Sequence, residues 1–367
     1  MSASKHQHFI PKSYLKNFAL IDGDKAFVEA KQRKDDVVKP NLLSIRDICV
    51  DKNLYTLPYG EIDKKYALET FYANEVDAVF PEVYGWLTDP NLKTITLVQR
   101  AKIVMTCMSL YFRTPKFLNQ NTKLSNRILE YATKYHQDAN GHVLFKFRNY
   151  EFDFDIKDLE SVKNQMKLKR KFEFLQSHLK EWHQFIQFKI HAGIGVVKVT
   201  DEVRLITSDN PVIIHNGHNA LNLFDLNNII QLPLDPNHYL IIYPNSEEAM
   251  LDTVYRSNHD KWWALTTNLQ VEQNCEDWIL GLPGSVIAHL EDQQKYGKWN
   301  DENIQNVLNL EHRATKMKTL TELMSIHGLY SEVVAEEVRS QKQDPLINND
   351  GQLLEIINLL KANGYDV

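Results

Sequence analysis

Cysteine is scarce in this chain. Its 367 residues hold three, Cys49, Cys107 and Cys275, far apart and in no metal-ligand spacing. That excludes a disulfide framework, a zinc ribbon and a CxxC redox pair, and it suits a reducing compartment. Long apolar runs are also missing. The longest, Ile103 to Phe112, falls short of the roughly 18 residues a membrane span needs, and the polar opening Met1 to Gln7 lacks the apolar core of a signal peptide. The expected setting is cytoplasmic, with no membrane partner. Positive charge is not in excess: 42 Lys plus Arg stand against 48 Asp plus Glu, a formal charge of -6. A non-specific nucleic-acid coat is thereby excluded, and any nucleic-acid contact must be local. The chain has no GxxxxGK[ST] loop, no GxGxxG after a strand, no HExxH and no GxSxG elbow. P-loop, Rossmann, zincin and α/β-hydrolase readings lose their support.

What is present is an ordinary globular composition, 43% apolar and 25% charged, enough for a sizeable core. Short strands are expected at Ala26 to Ala30 and Ile48 to Leu57, after the turn residues Asp22-Gly23-Asp24. From Tyr66 the period becomes helical, with Leu68, Tyr72, Glu75, Val79, Val83 and Trp86 on one stripe, and Ile103 to Phe112 reads as a central buried helix. Helical signal resumes from Asp158 to Ile190, through the basic stretch Lys163 to Lys171 and then Phe172, Phe174, Trp182, Phe185 and Phe188. β-branched runs follow at 195–199, 203–207, 211–214 and 238–243, joined by connections mostly too short for helical crossovers. The expected fold class is α+β, a helical middle region packed with a mainly antiparallel β-sheet. Residues 1–299 are expected to form one domain, helical at about 65–190, β-rich at about 192–245 and helical again at about 257–290. Residues 300–367 read as a helical C-terminal extension whose Leu353, Ile356, Ile357 and Leu360 make an amphipathic face suited to a protein partner or to self-association.

Three constellations carry chemistry. The first is His6-Gln7-His8-Phe9-Ile10-Pro11. Pro11 biases Ile10 to extended geometry, so His6 and His8 fall on one face of a strand, and Pro11 can open a helix bearing Lys12, Tyr14, Leu15, Lys16 and Phe18. Two histidines, two lysines and a helix N-terminus would suit a phosphate or carboxylate; the bland reading is a solvated face. The second is Thr207-Ser208-Asp209-Asn210-Pro211, where Asp209 either makes a turn, orients a histidine or helps to bind a metal. The third pairs Glu75, placed on the apolar stripe, with Arg113 or Arg100 as a structural ion pair.

The ordered stretches His6-Gln7-His8-Phe9-Ile10-Pro11 with Tyr14 to Ala19, Lys52-Asn53-Leu54-Tyr55-Thr56-Leu57, Glu69 and Glu75, Arg113-Thr114-Pro115, Ile206 to Val212 and Leu232-Pro233-Leu234-Asp235-Pro236 resemble the bacterial family catalogued as domain of unknown function 4238. The resemblance covers roughly residues 6 to 290, implies a bacterial cytoplasmic protein and transfers no catalytic residue. Two functions are expected. One is a hydrolase of the phosphodiesterase or nuclease kind, with His6, His8 and Asp209 catalytic, Lys12, Tyr14, Lys16, Tyr55, Arg113 and Asn210 binding the ligand, and a divalent metal as the cofactor to test. The other is a non-enzymatic binding or sensor protein. Nucleic acid or another anionic ligand is the expected partner at this corner.

Overall fold

Pro11 stands in extended backbone (φ -59°, ψ 141°) at the start of a single helical turn, α1 (Lys12–Leu15), with strand β1 (His6–His8) just before it. Its fixed φ and missing N–H suit that junction. The structure is a computed structural model that describes residues 6–34, 40–56, 66–147, 150–199, 202–215, 223–247, 249–296 and 302–367. After α1 and a 3-10 turn (Lys16–Phe18) come β2 (Leu20–Asp22), β3 (Lys25–Gln32), β4 (Asn41–Ser44), β5 (Val50–Lys52), α2 (Ala67–Phe71), α3 (Phe80–Thr88) and α4 (Leu97–Phe112). Next are α5 (Pro115–Tyr135), β6 (His142–Phe147), β7 (Tyr150–Asp155) and α6 (Leu159–Lys189). Strands β8 (Ala192–Val199), β9 (Thr207–Ser208), β10 (Ile213–His215), β11 (Ile229–Pro233), β12 (His238–Asn245) and β13 (Val254–His259) lead to α7 (Lys261–Asn274), β14 (Trp278–Gly281) and α8 (Ser285–Tyr296). Helices α9 (Glu302–His327), α10 (Glu332–Lys342) and α11 (Gly351–Ala362) close the chain.

The fold is α+β, with mainly antiparallel sheets. The chain divides into one unit of residues 1–119, 170–214 and 224–299 and a second of residues 120–169, 215–223 and 300–367. In the first, one sheet has the order β10-β11-β12-β8-β13 and another β2-β3-β14-β9, with β4 also on β3 and a separate β1-β5 pair. β13 is parallel to β8, Asn258 beside Lys198. This one parallel pair sits within the mainly antiparallel sheet that the sequence predicts, while β13 and β14 fall where it predicts connecting and helical segments, because each is short and carries few β-branched residues. Residues 203–206 form no strand; only Thr207–Ser208 pairs, with β14. Leu57, the end of the strand expected at Ile48 to Leu57, lies outside the described residues.

Helix α4 is the buried centre of the first unit. Thr96 and Gln99 form a reciprocal capping box at its start. Ile103, Val104, Cys107, Met108, Leu110 and Phe112 are all buried, as an apolar run with no polar face requires. The stripe before it differs from the simple helical period. Residues Tyr72–Asp77 form a π-helix, and the buried positions are Leu68, Tyr72, Val76, Phe80, Val83 and Leu87. Glu75 is therefore exposed, not buried: the wider turn lets a spacing of four stay in line and brings Val76 inward instead. Arg100 is not its partner either. It is fully buried and donates to the carbonyls of Leu251, Ala192 and Met250.

In the second unit, the β6–β7 hairpin packs Val143, Phe152 and Phe154 with Ile128, Leu129, Ala132 and Ile326. It interrupts the region expected to be helical from 65 to 190. The alternation Phe145-Lys146-Phe147 and Tyr150-Glu151-Phe152-Asp153-Phe154-Asp155 is a period-two signal that a search for long helices overlooks. Leu353, Ile357 and Leu360 of α11 are buried against Met317, Leu320, Val334 and Val338. The apolar face of the C-terminal segment is thus covered by α9 and α10 within its own unit.

Candidate functional site

β1 pairs with β5 so that His6 lies opposite Lys52 and His8 opposite Val50. The side chain of His6 lies outside the described residues. Gln7, between them, is buried: its Nε2 donates to Glu69 Oε2 (2.8 Å) and Thr56 Oγ1 (3.2 Å), and its Oε1 accepts from the Tyr55 amide (2.6 Å). Strand alternation, which placed the histidines on one face, also signals that Gln7 faces the other. His8 is half-buried, with Nε2 3.0 Å from the carbonyl oxygen of Ile45. A carbonyl only accepts, so Nε2 carries the proton and Nδ1 the lone pair. Burial pushes His8 down to about 4, against the pull of the Ile45 bond and with the charges of Lys12 and Arg113 adding to the depression. At pH 7 the ring is neutral and offers a lone pair, not a proton.

The rest of the N-terminal corner anchors the chain. Tyr14 Oη donates to the Pro233 carbonyl (2.8 Å) and shares a 2.6 Å hydrogen bond with Thr207 Oγ1, and burial pushes its phenol far above the ordinary range. Asn17 Nδ2 donates to the carbonyl of Leu234 (3.1 Å). Lys12 and Lys16 are exposed, one turn apart. With four residues, α1 is too short for its dipole to hold an anion, so the lysines stand as point charges. Tyr55 Oη donates to the Arg113 carbonyl (2.5 Å), and burial raises it to about 12.

Arg113 is 2% exposed. Its Nη1 pairs with Asp77 (2.5 Å), its Nη2 donates to the His8 carbonyl (2.7 Å), and the guanidinium lies 4.4 Å from the centre of the Tyr72 ring. Desolvation works against its charge, but Tyr55, Asp77 and Tyr72 together hold it protonated. Arg113 thus binds its own chain.

Asp209 is likewise turned inward. Its carboxylate accepts the backbone N–H groups of Glu276 (2.9 Å), Asp277 (2.7 Å) and Trp278 (3.2 Å). Burial pushes its pKa up, against these three donors. Of the charges named for His8, Lys12 and Arg113 lower its pKa and Asp47 raises it. Asn210 Nδ2 donates to the carbonyl of Asn274 (3.0 Å), while Asn274 Nδ2 returns bonds to the carbonyls of Asn210 and Val212. The Thr207 to Pro211 turn is a latch on the 274–278 segment. Lys116 joins it, donating to Asn274 O (2.6 Å) and Oδ1 (2.9 Å), with burial pushing its amine down to about 8.

A different pair has the geometry of an acid–base site. In the turn from β11 to β12, Asp235 Oδ1 accepts the amides of Asn237 (2.7 Å) and His238 (2.8 Å). Both carboxylate oxygens then face His238 Nδ1, at 3.1 and 2.9 Å. Tyr84 of α3 donates to Asp235 Oδ2 at 2.8 Å. Burial raises the Asp235 carboxyl, but the bonds from His238, Asn237 and Tyr84 outweigh it and hold the group below its usual range. An ionised carboxylate fixes Nδ1 as the protonated nitrogen and leaves Nε2 as the lone pair, and Nε2 makes no hydrogen bond among the described residues. The side chain of His238 is 21% exposed. The motif Leu232 to Pro236 ends two residues short of His238, which sequence reasoning misses; the signal is Asp-Pro-Asn-His, a turn that returns a histidine to the carboxylate that starts it.

Among the described residues no group of three or more His, Cys, Asp or Glu side chains is placed to hold a metal ion. A cleft of about 270 Å³ in the second unit is lined by Leu129, Glu130, Thr133, Lys134, Leu159 and Lys163, none of them from the motifs. No helix among the described residues is long and apolar enough to cross a membrane. No curated protein and no solved structure matches the chain. The model of one family, described as a protein of unknown function (DUF4238), matches residues 6–285, from the His-Gln-His strand through the Asp209 latch and the Asp235–His238 pair to the start of α8, and the chain belongs to that family.

Proposed function

We propose that this protein is a hydrolase of the phosphodiesterase or nuclease kind whose general base is His238, oriented by Asp235. The single observation that carries the reading is the carboxylate–imidazole pair with its outer nitrogen open. Asp235 fixes the tautomer and stabilises the imidazolium, and Nε2 takes a proton from water as that water attacks the ester. The P–O bond to the leaving alkoxide breaks, and the alkoxide takes its proton from solvent. Lys12 and Lys16, exposed on the segment that Tyr14 and Asn17 fasten to residues 233–234, supply positive charge for a phosphate backbone. His8 has the role of a neutral acceptor for a ligand hydroxyl or amide. The three cysteines are free and buried, which supports a reducing bacterial cytoplasm as its setting.

A second reading, a binding or sensor protein without turnover, is favoured by the engagement of Asp209 and Arg113 with their own chain. Wild type, His238→Ala and Asp235→Asn assayed on RNA, DNA and nucleotides, with and without divalent metal, decide between them. The hydrolase reading expects a rate loss of about 10²–10⁴-fold in His238→Ala and a smaller one in Asp235→Asn. Unchanged turnover in His238→Ala overturns it, and no turnover in any of the three proteins leaves the binding reading.

A further inference from the structure

The three strands β12, β8 and β13 are neighbours, and their registers align one residue from each. His238 pairs with Lys198 across the antiparallel ladder, and Lys198 pairs with Asn258 across the parallel one. Side chains in register share a face, with strands about 4.8 Å apart. Asn258, Lys198 and His238 therefore form a row of three polar groups on one face of the sheet. Lys198 and Asn258 are both exposed. Their neighbours on the same face are apolar or engaged: Val196 and Leu240 are buried, and Arg256 donates to the carbonyls of Trp86, Leu87 and Leu92. Among the described residues, Asp235 pairs with His238, Glu202 with Lys261, and Asp260 accepts the amides of Trp262 and Trp263. The ammonium of Lys198 and the amide of Asn258 are thus donors beside the open nitrogen of His238, with no acceptor among the described residues.

We infer that Lys198 and Asn258 form the anion-binding subsite for the group on which His238 acts, and that this group is a tetrahedral phosphoryl. The inference rests on the hydrolase reading for its mechanism, but not for its test. A phosphoryl group offers its oxygens to an ammonium and an amide about one strand apart, leaving the lone pair of His238 Nε2 for the water, and a charge-assisted bond to Lys198 is its strongest contact. Held there, the phosphorus lies within reach of a water bonded to Nε2.

The probe is inorganic phosphate, titrated into the full chain while the ring resonances of His238 are followed by NMR. The expected result is a saturable shift at millimolar phosphate, with apparent affinity about tenfold weaker in Lys198→Ala and recovered in Lys198→Arg. Because Lys198 is exposed, both variants keep the fold, which their circular dichroism and melting temperature verify. A His238 spectrum indifferent to phosphate overturns the inference, as does binding in Lys198→Ala equal to wild type. Its failure and that of the hydrolase reading are separable. Phosphate binding that depends on Lys198 in a protein whose His238→Ala variant hydrolyses normally keeps the subsite and removes the reading. Loss of hydrolysis in His238→Ala with phosphate binding indifferent to Lys198 does the reverse.

Discussion

Arg113 lies at the meeting point of the N-terminal corner, and its acid partner is Asp77 rather than Glu75. Removing Asp77 leaves a guanidinium that is 2% exposed with one charge-neutralising contact fewer, whereas Glu75 is exposed and has no such duty. Asp77→Ala is expected to lower stability by about 2–3 kcal/mol, and Glu75→Ala to change it by less than about 0.5 kcal/mol. Urea midpoints of the two variants check this, and equal effects would remove the assignment. The same comparison shows where a sequence stops being legible. That a helix here meets Arg113 is readable from the apolar stripe and from the polar residues interrupting it. Which acid faces inward depends on a hydrogen-bond pattern that composition does not encode.

That pattern belongs to the element. The π-helix Tyr72–Asp77 places Tyr72 and Val76 in the core and Asp77 beside Arg113. Deleting Asn74, which is exposed, would remove the extra residue that the wide turn accommodates and let it close to α geometry with α2 still in phase with α3. Leu68, Tyr72, Val76 and Phe80 would then follow spacings of four, three and four, an ordinary α-helical stripe. The expected cost is therefore moderate, about 1–2 kcal/mol, against less than about 0.5 kcal/mol for Asn74→Ala, read from thermal or urea melts. Other elements were more transparent. The continuous apolar run of α4, the Pro11 junction and the β-branched runs of β8 and β12 were legible because burial on every side, a locked φ and β-branching each leave a local mark. Strands β13 and β14 left none, since their place comes from pairing with distant chain.

At the scale of the molecule, the family motifs were legible as an ordered set, but most of their polar atoms serve packing. Tyr14, Tyr55, Arg113, Asp209 and Asn210 all bond to backbone from distant parts of the sequence. The candidate site lies instead at Asp235 and His238, where a short turn closes on itself. This distribution also sets how the fold answers acid. Burial pushes both His8 and His178 down to about 4 from an ordinary 6.5. Between those values the unfolded chain binds more protons than the folded one, so stability falls as pH falls from about 6.5 to 4. Asp235 and Glu272, held below their usual range, act in the same direction further into acid, while Asp209, pushed up, opposes them. His178 is fully buried, bonded at Nδ1 to the Phe174 carbonyl (2.8 Å), and Nε2 has no partner among the described residues. Its charging costs up to about 3 kcal/mol. The urea midpoint of the wild type should drop between pH 7 and pH 4.5. In His178→Phe the drop should be smaller, because an apolar ring in the same place has no proton to take. An equal drop in both proteins would show that His178 is not held neutral, and would move the acid response to His8 and the carboxylates.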